Sequence, residues 1–452
     1  MKSLRGFGAG VCLALVLAGC STEPDTNDKP GVYSPLIINI SSDKVPAVRG
    51  VTNQLTLLVT NVNNLPLTYH WSAAQGTLLD STAATVNWNA PDSIGTYDVT
   101  ASIEAVDTAP DPDAHFFQTK TFHIFVDNEF IRWTNTPEVQ FDPAPVPSPT
   151  GGIVFAQYSN ISNGQADIWY IPAVGLSPEQ KTSGFFTANS PTMKADGSVL
   201  AFAARATDVD SQHVYAAAAA GATPDPAVSQ QLTSITTQSH LFGNPRFSRT
   251  HGWLMYNSDS GQATAFVPRV LYRDIPVVPP AVLPAPERAI ADQSLASRTF
   301  WMPNWGPDVD ADGLPDSIVT MSFRFFRATN QVSNGFYKFG VNPPASSAVQ
   351  WLADSSATDP DWSADGQYVV FADAAVKNGE RDIWIIRADT NVRSSAVRIT
   401  GGPADDSHPR FSDDGNTIYF VSNRASDYGL NGVYPTERRG YNIWSVTRFD
   451  RP

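Results

Sequence analysis

The sequence predicts an all-β chain: a β-sandwich over residues 36–128, then a six-bladed β-propeller over residues 129–452, closed by a strand from its own N-terminal side. Three observations carry this. A phrase recurs along the back two-thirds: Pro360-Asp361-Trp362-Ser363-Ala364-Asp365-Gly366 before Tyr368–Phe371, and Pro409-Arg410-Phe411-Ser412-Asp413-Asp414-Gly415 before Thr417–Phe420. Ahead of it, short alternating apolar runs are separated by turn residues, as half-buried strands require. Between the two lies Phe130-Ile131-Arg132-Trp133-Thr134, a strand-like segment with no repeat before it.

The first elements concern export. Lys2 and Arg5 precede a short apolar run, Val11–Leu17, and then Leu17-Ala18-Gly19-Cys20. The run is too short to span a membrane and has the layout of a cleaved signal. It resembles a bacterial lipoprotein signal over residues 1–19, which implies cleavage before Cys20 and acylation of that cysteine. Ser21 beside the anchor implies, within that family, the outer membrane. Cys12 leaves with the signal, so no intramolecular disulfide is expected and stability must come from core burial. Residues 20–35 carry Thr, Asp, Asn, Pro and Lys with few apolar side chains, which reads as a flexible tether.

The sandwich runs are Leu36–Ile40, Gln54–Val59, Leu67–Ser72, Thr85–Trp88, Tyr97–Ile103 and Lys120–Val126. Tyr69-His70-Trp71 resembles the aromatic-bearing third strand of bacterial immunoglobulin-like and PKD-like domains. Gly95-Thr96-Tyr97, with Val99 and Ala101, resembles their corner-tyrosine strand. Trp71 and Trp88 are assigned to the core.

From residue 129 each repeat reads as four strands. An inner strand holds the proline, an Asp-Gly turn supplies positive φ, and a second strand follows. A third carries an Ile-Trp pair, as in Ile168-Trp169, Ile383-Trp384 and Ile443-Trp444, and a fourth ends near a threonine such as Thr400. Six prolines anchor the copies: Pro143, Pro191, Pro245, Pro303, Pro360 and Pro409, those at Pro143 and Pro303 being degenerate. The last copy lacks a fourth strand. Thr134, Thr182 and Thr400 precede Pro143, Pro191 and Pro409 by the same interval, so Phe130–Thr134 is expected to complete the last sheet and remove its free edge. Val277–Pro286 reads as a proline-rich excursion.

The phrase Pro-x-[Phe/Trp]-Ser-x-Asp-Gly, with the later Asp-Ile-Trp, resembles the TolB-like (PD40) propeller repeat over residues 129–452. That resemblance implies a periplasmic, six-bladed propeller that takes a protein segment at the mouth of its channel. The sandwich and the lipid signal depart from TolB itself and argue against the same role.

The formal net charge is −14, and loss of Lys2 and Arg5 takes it to −16, which argues against nucleic acid or anionic lipid as the main partner. Asp308-Val309-Asp310-Ala311-Asp312-Gly313-Leu314-Pro315-Asp316 interrupts the fourth repeat. Carboxylates at Asp308, Asp310, Asp312 and Asp316, with the Leu314 carbonyl and a glycine for the turn, form a Ca²⁺-ligand spacing. It resembles the calcium loops of EF-hand, dockerin and thrombospondin type-3 repeats, although Val319 stands where an EF-hand has glutamate. The alternative is an acidic turn that hydrogen-bonds to itself. Neither a Gly-x-Ser-x-Gly elbow nor a glycine-rich phosphate loop occurs, and the fused hydrolase domain of prolyl-oligopeptidase-like enzymes is not expected.

His115 and His123 fall near one another in sequence. His408, Arg410 and Arg246 are candidates for the channel or for hydrogen bonds at the blade tops. Asp196, Asp365 and Asp414, recurring at one place, are assigned to turns. No catalytic residue is assigned. The expected function is a non-catalytic, lipid-anchored envelope scaffold, periplasmic or surface-facing, for a protein or peptide. The rival readings are a carbohydrate-binding or polysaccharide-degrading propeller and a purely structural envelope protein.

Overall fold

The computed structural model describes residues 34–44, 46–107, 114–147, 150–221, 223–233, 242–258, 269–275, 288–289, 298–308, 311, 317–326, 331–341, 349–352, 356–374, 380–424, 440–447 and 449–452. Cys20 and the Val277–Pro286 excursion lie outside them. The described elements are strands, with a single 3-10 turn at Arg393–Ser395. None is a helix long and apolar enough to cross a membrane.

Two four-stranded sheets come first. One orders Leu36–Ser42, Thr52–Thr60, Thr85–Asn89 and Thr77–Leu78; the other orders Ala47–Val48, Ala114–Asp127, Gly95–Asp107 and Leu67–Ala73. They face each other across one core that includes Ile37, Leu55, Val86 and Trp88 from the first and Trp71, Val99, Phe122 and Ile124 from the second. Alternation accounts for this: in Thr52–Thr60 every second residue is buried up to Leu57. Both tryptophans are core, and each indole N–H finds a carbonyl, Ala83 at 2.8 Å for Trp71 and Gln75 at 3.1 Å for Trp88. The Tyr97 hydroxyl ties back to the Ser93 carbonyl at 3.1 Å, as the corner-tyrosine pattern expects. The two-residue strands Ala47–Val48 and Thr77–Leu78 are too short to show a period in the sequence.

Among the described residues six four-stranded antiparallel sheets follow in chain order, the arrangement of a β-propeller. Their first strands are Gln140–Pro145, Thr187–Met193, Phe242–Phe247, Arg298–Trp305, Ala357–Trp362 and Asp406–Phe411. Each therefore contains one of the six anchoring prolines, the two degenerate copies included. Consecutive sheets pack face to face, and six apolar clusters separate them, the last joining sheet six to sheet one. The third-strand tryptophans pack toward the preceding sheet: Trp169 against sheet six, Trp384 against sheet four and Trp444 against sheet five. A large flat side chain buries most area where two twisted sheets diverge.

The hairpin turns follow the sequence pattern. Gly197, Gly366 and Gly415 have φ of 71°, 72° and 70°. Asp196, Asp365 and Asp414 each accept the backbone N–H two residues on, at 2.9, 3.0 and 3.0 Å. These are local turn bonds.

A threonine latch recurs between third and fourth strands. Thr182, Thr400 and Thr134 accept the N–H of Ile168, Ile383 and Ile443, each at 2.9 Å, and Thr233 accepts that of Val214 at 3.1 Å. In sheet six the fourth strand is Phe130–Arg132, paired antiparallel to Asn442–Val446 with Trp444 opposite Arg132 and Val446 opposite Phe130. The free edge of the last sheet is thus covered by chain that precedes the first.

The sandwich docks on the C-terminal sheets. Asn128 donates to the Ile399 carbonyl at 2.6 Å, and Arg49 pairs with Asp450 at 2.6 Å. Asp127 accepts Gly401 N–H at 3.2 Å, and burial pushes its carboxyl up to about 7. Phe125, Ile94 and Ala404 form the apolar part of the contact.

Candidate functional site

The residue before each anchoring proline is left-handed. Asp142, Ser190, Asn244, Met302, Asp359 and His408 have φ of 51°, 50°, 49°, 51°, 54° and 51°. In every first strand the pairing register slips across that residue and its proline, for example between Thr358 and Asp361 and between Ser407 and Arg410. A proline has no N–H to give the ladder, so it belongs at such a bulge. Asp, Asn and His tolerate left-handed backbone better than most residues. Met302 does not, and its N–H is held by Asn257 Oδ1 at 3.1 Å. The bulge thus recurs at one place in every first strand.

Four of these six side chains meet. Ser190 donates to Asp142 Oδ2 at 2.8 Å. His408 Nε2 lies 3.4 Å from Asp142 Oδ1 and 3.9 Å from Asp359 Oδ1. Burial alone would raise the Asp359 carboxyl, but the charges of His408, Arg410 and Arg381 outweigh it and hold the group below the usual range. His408 sits within its inner strand rather than ahead of it.

Two residues further on, the side chains Ala144, Thr192, Arg246, Asn304, Asp361 and Arg410 line a cavity of about 340 Å³. One comes from each sheet. The cavity opens where the inner strands run into their hairpin turns, and Trp305, Pro307, Phe247 and Phe411 form its apolar wall.

Three of the six are structural staples to the next sheet. Thr192 accepts Phe247 N–H at 3.2 Å, Asn304 donates to the Pro360 carbonyl at 2.5 Å, and Asp361 accepts Phe411 N–H at 2.7 Å. Among the described residues the Arg246 and Arg410 side chains make no such staple: each donates only to the carbonyl of its own preceding proline, at 2.8 and 2.7 Å. Burial first, then the charge of Arg410, push the Arg246 pKa down to about 9, against the opposing pull of Asp142, Asp361 and Asp359. Arg249 crosses the mouth from sheet three. It donates to the Trp362 carbonyl and lies 3.5 Å from Asp361 and 4.0 Å from Asp413.

The structure therefore places His408, Arg410 and Arg246 on the axis. Asp308 is on the cavity wall, while Asp310, Asp312, Leu314 and Asp316 lie outside the described residues. His115 and His123 are not brought together. They sit well apart on one strand, each bonded to a carboxylate of the neighbouring strand, Glu104 and Asp98. Sequence reasoning missed Asp142, Ser190, Asp359 and Arg249. A signal for the first three existed: the residue before the anchoring proline is polar in five of the six copies.

No protein-family model matches the chain, and no curated protein matches it. Solved structures with a similar outline include TolB from Acinetobacter baumannii, at 11% identity over 90% of this chain and 79% of that one, TM-score 0.30. An oligogalacturonate lyase from Vibrio parahaemolyticus matches at 9% identity over 85% and 98%, TM-score 0.42. The β-propeller domain of the Trilobed protease from Pyrococcus furiosus matches at 11% identity over 89% and 96%, TM-score 0.38. The propeller arrangement rests on this chain's own strand order, not on these likenesses.

Proposed function

We propose that the chain is a non-catalytic, lipid-anchored protein of the bacterial envelope that holds a protein or peptide partner at the mouth of a six-bladed, TolB-like propeller. In this reading residues 1–19 are a signal peptide, Cys20 carries the acyl chains at the outer membrane, and residues 20–35 are a tether. An immunoglobulin- or PKD-like sandwich, residues 36–128, spaces the propeller, residues 129–452, from the lipid. The observation that carries the proposal is the axial cavity, to which every sheet contributes at least one side chain. A rigid ring that presents variable side chains and hairpin loops around an opening suits recognition.

The test is photocrosslinking in the intact envelope. A photoreactive residue at Thr250, on the cavity rim, should capture one protein species, and the same group at exposed Val209 should not. Capture of polysaccharide alone, or equal capture at both positions, would overturn the reading. The carbohydrate alternative is favoured by one observation, the two arginines on the axis, since a uronate needs basic partners.

The Asp308–Asp316 loop is proposed to hold a structural Ca²⁺ that stiffens the rim beside Asp308. Calorimetric titration of the full chain with CaCl₂ should give a saturable heat that Asp310→Ala removes. At a hundredfold excess over Kd the ion stabilises by about 2.7 kcal/mol. Absence of heat with the unmodified chain would refute the site.

A further inference from the structure

Arg246 and Arg410 hold the same place in sheets three and six, three positions apart in a ring of six. Both line the axial cavity, and they are only 6% and 4% exposed. A guanidinium carries five N–H donors. Among the described residues each uses one group, Nη1, on a backbone carbonyl, and the buried Nε of each has no hydrogen-bond partner. Asp142, Asp361 and Asp359 attract Arg246, and Asp359 attracts Arg410, through space without a hydrogen bond to either; a buried cation lacking a directly bonded anion is costly. The equivalent side chains Thr192, Asn304 and Asp361 each hold a staple between sheets. The arginines are the cationic donors at that level, and neither side chain serves as a staple.

We infer that Arg246 and Arg410 form a carboxylate-binding subsite on the propeller axis, which takes one acidic group of a bound peptide. This rests on the mouth being the ligand site proposed above. The charge balance selects the ligand. Arg246, Arg249 and Arg410 share the cavity wall with Asp308, Asp361 and Asp413, three charges of each sign before any Ca²⁺ binds the Asp308 loop. A single carboxylate can accept from both guanidinium groups while adding only one negative charge to this balanced wall. A phosphate dianion or a run of uronates would bring further negative charge against the three aspartates. The apolar wall of Phe247, Trp305, Pro307 and Phe411 suits a peptide segment carrying that carboxylate. Arginine provides planar donor pairs that match a carboxylate's two oxygens.

The experiment titrates the full chain with Gly-Gly-Glu amide, Gly-Gly-Gln amide and digalacturonate, read by calorimetry and by the melting temperature. The expected result is saturable binding of the glutamate peptide, at least tenfold tighter than the glutamine peptide. Arg246→Gln and Arg410→Gln should each weaken it tenfold or more, with the glutamine peptide unaffected. Equal binding of the two peptides, no saturable binding of either, or full binding in both variants would overturn the subsite. Tighter binding of digalacturonate than of the glutamate peptide would overturn the peptide assignment. The wild-type comparison of Glu with Gln decides even if a variant fails to fold. A captured partner at Thr250 without carboxylate binding removes only the subsite; carboxylate binding without a captured partner removes only the scaffold reading.

Discussion

Replacing Phe130–Thr134 with a Gly-Ser segment of equal length lowers the melting temperature of the propeller by about 7 °C. Three ladder pairs join this strand to Asn442–Val446, and Trp133 N–H donates to the Ile443 carbonyl at 2.9 Å. The Trp133 indole donates to Ser445 at 2.9 Å. Thr134 is buried, latches Ile443 N–H and donates to Gln140 of sheet one. Phe130 lies edge-on to Phe420, 5.7 Å between centroids. Removing these groups exposes an edge and leaves buried donors unmet, at about 1–3 kcal/mol each. A total of roughly 5 kcal/mol, spread over an unfolding entropy near 2.1 cal/mol/K per residue, gives the stated shift. Differential scanning calorimetry of the two proteins measures it. An unchanged transition would mean that the ring does not depend on this strand.

Arg424→Ala costs about 3–5 kcal/mol, the range for breaking one side of a buried ion pair. Arg424 and Asp406 are both 0% exposed and lie 2.7 Å apart. The guanidinium also stacks 4.1 Å from the Phe130 ring, so through Asp406 it joins the first strand of sheet six to the closing strand. Truncation leaves the Asp406 carboxylate buried without its cation. The double variant Arg424→Met, Asp406→Leu should recover most of the loss, because neither charge then remains. Chemical denaturation of Arg424→Met, Asp406→Leu and the double variant completes the cycle. A loss under 1 kcal/mol for Arg424→Ala would show that the pair contributes little.

Much of the fold was legible because the repeat places chemically committed residues at fixed intervals. Asp-Gly at 365–366 and 414–415 can serve as little other than a tight turn, and the structure uses both so. The threonine interval located Phe130–Thr134 on the last sheet, since one hydroxyl does the same work in sheets one, five and six. Thr233 escaped the rule because its spacing to Pro245 differs, although the bond is the same. The axial site was only half legible. Arg246, Arg410 and His408 stood out as charged residues inside the phrase. Asp142, Ser190 and Asp359 did not, because a left-handed residue before proline has no single residue type to announce it. Arg249 and Arg424 were invisible for another reason. Their partners, Asp361 on a different sheet and Asp406 across a hairpin, are set by tertiary geometry, which spacing along the chain does not encode.

The six bulges separate two kinds of inheritance. Each fixes the backbone through a proline and leaves the neighbouring side chain free to differ, as Asp, Ser, Asn, Met, Asp and His already do here. Descendants of such a chain could exchange what they recognise by editing these slots alone, while the sheets, their cores and the latch threonines are copied unchanged.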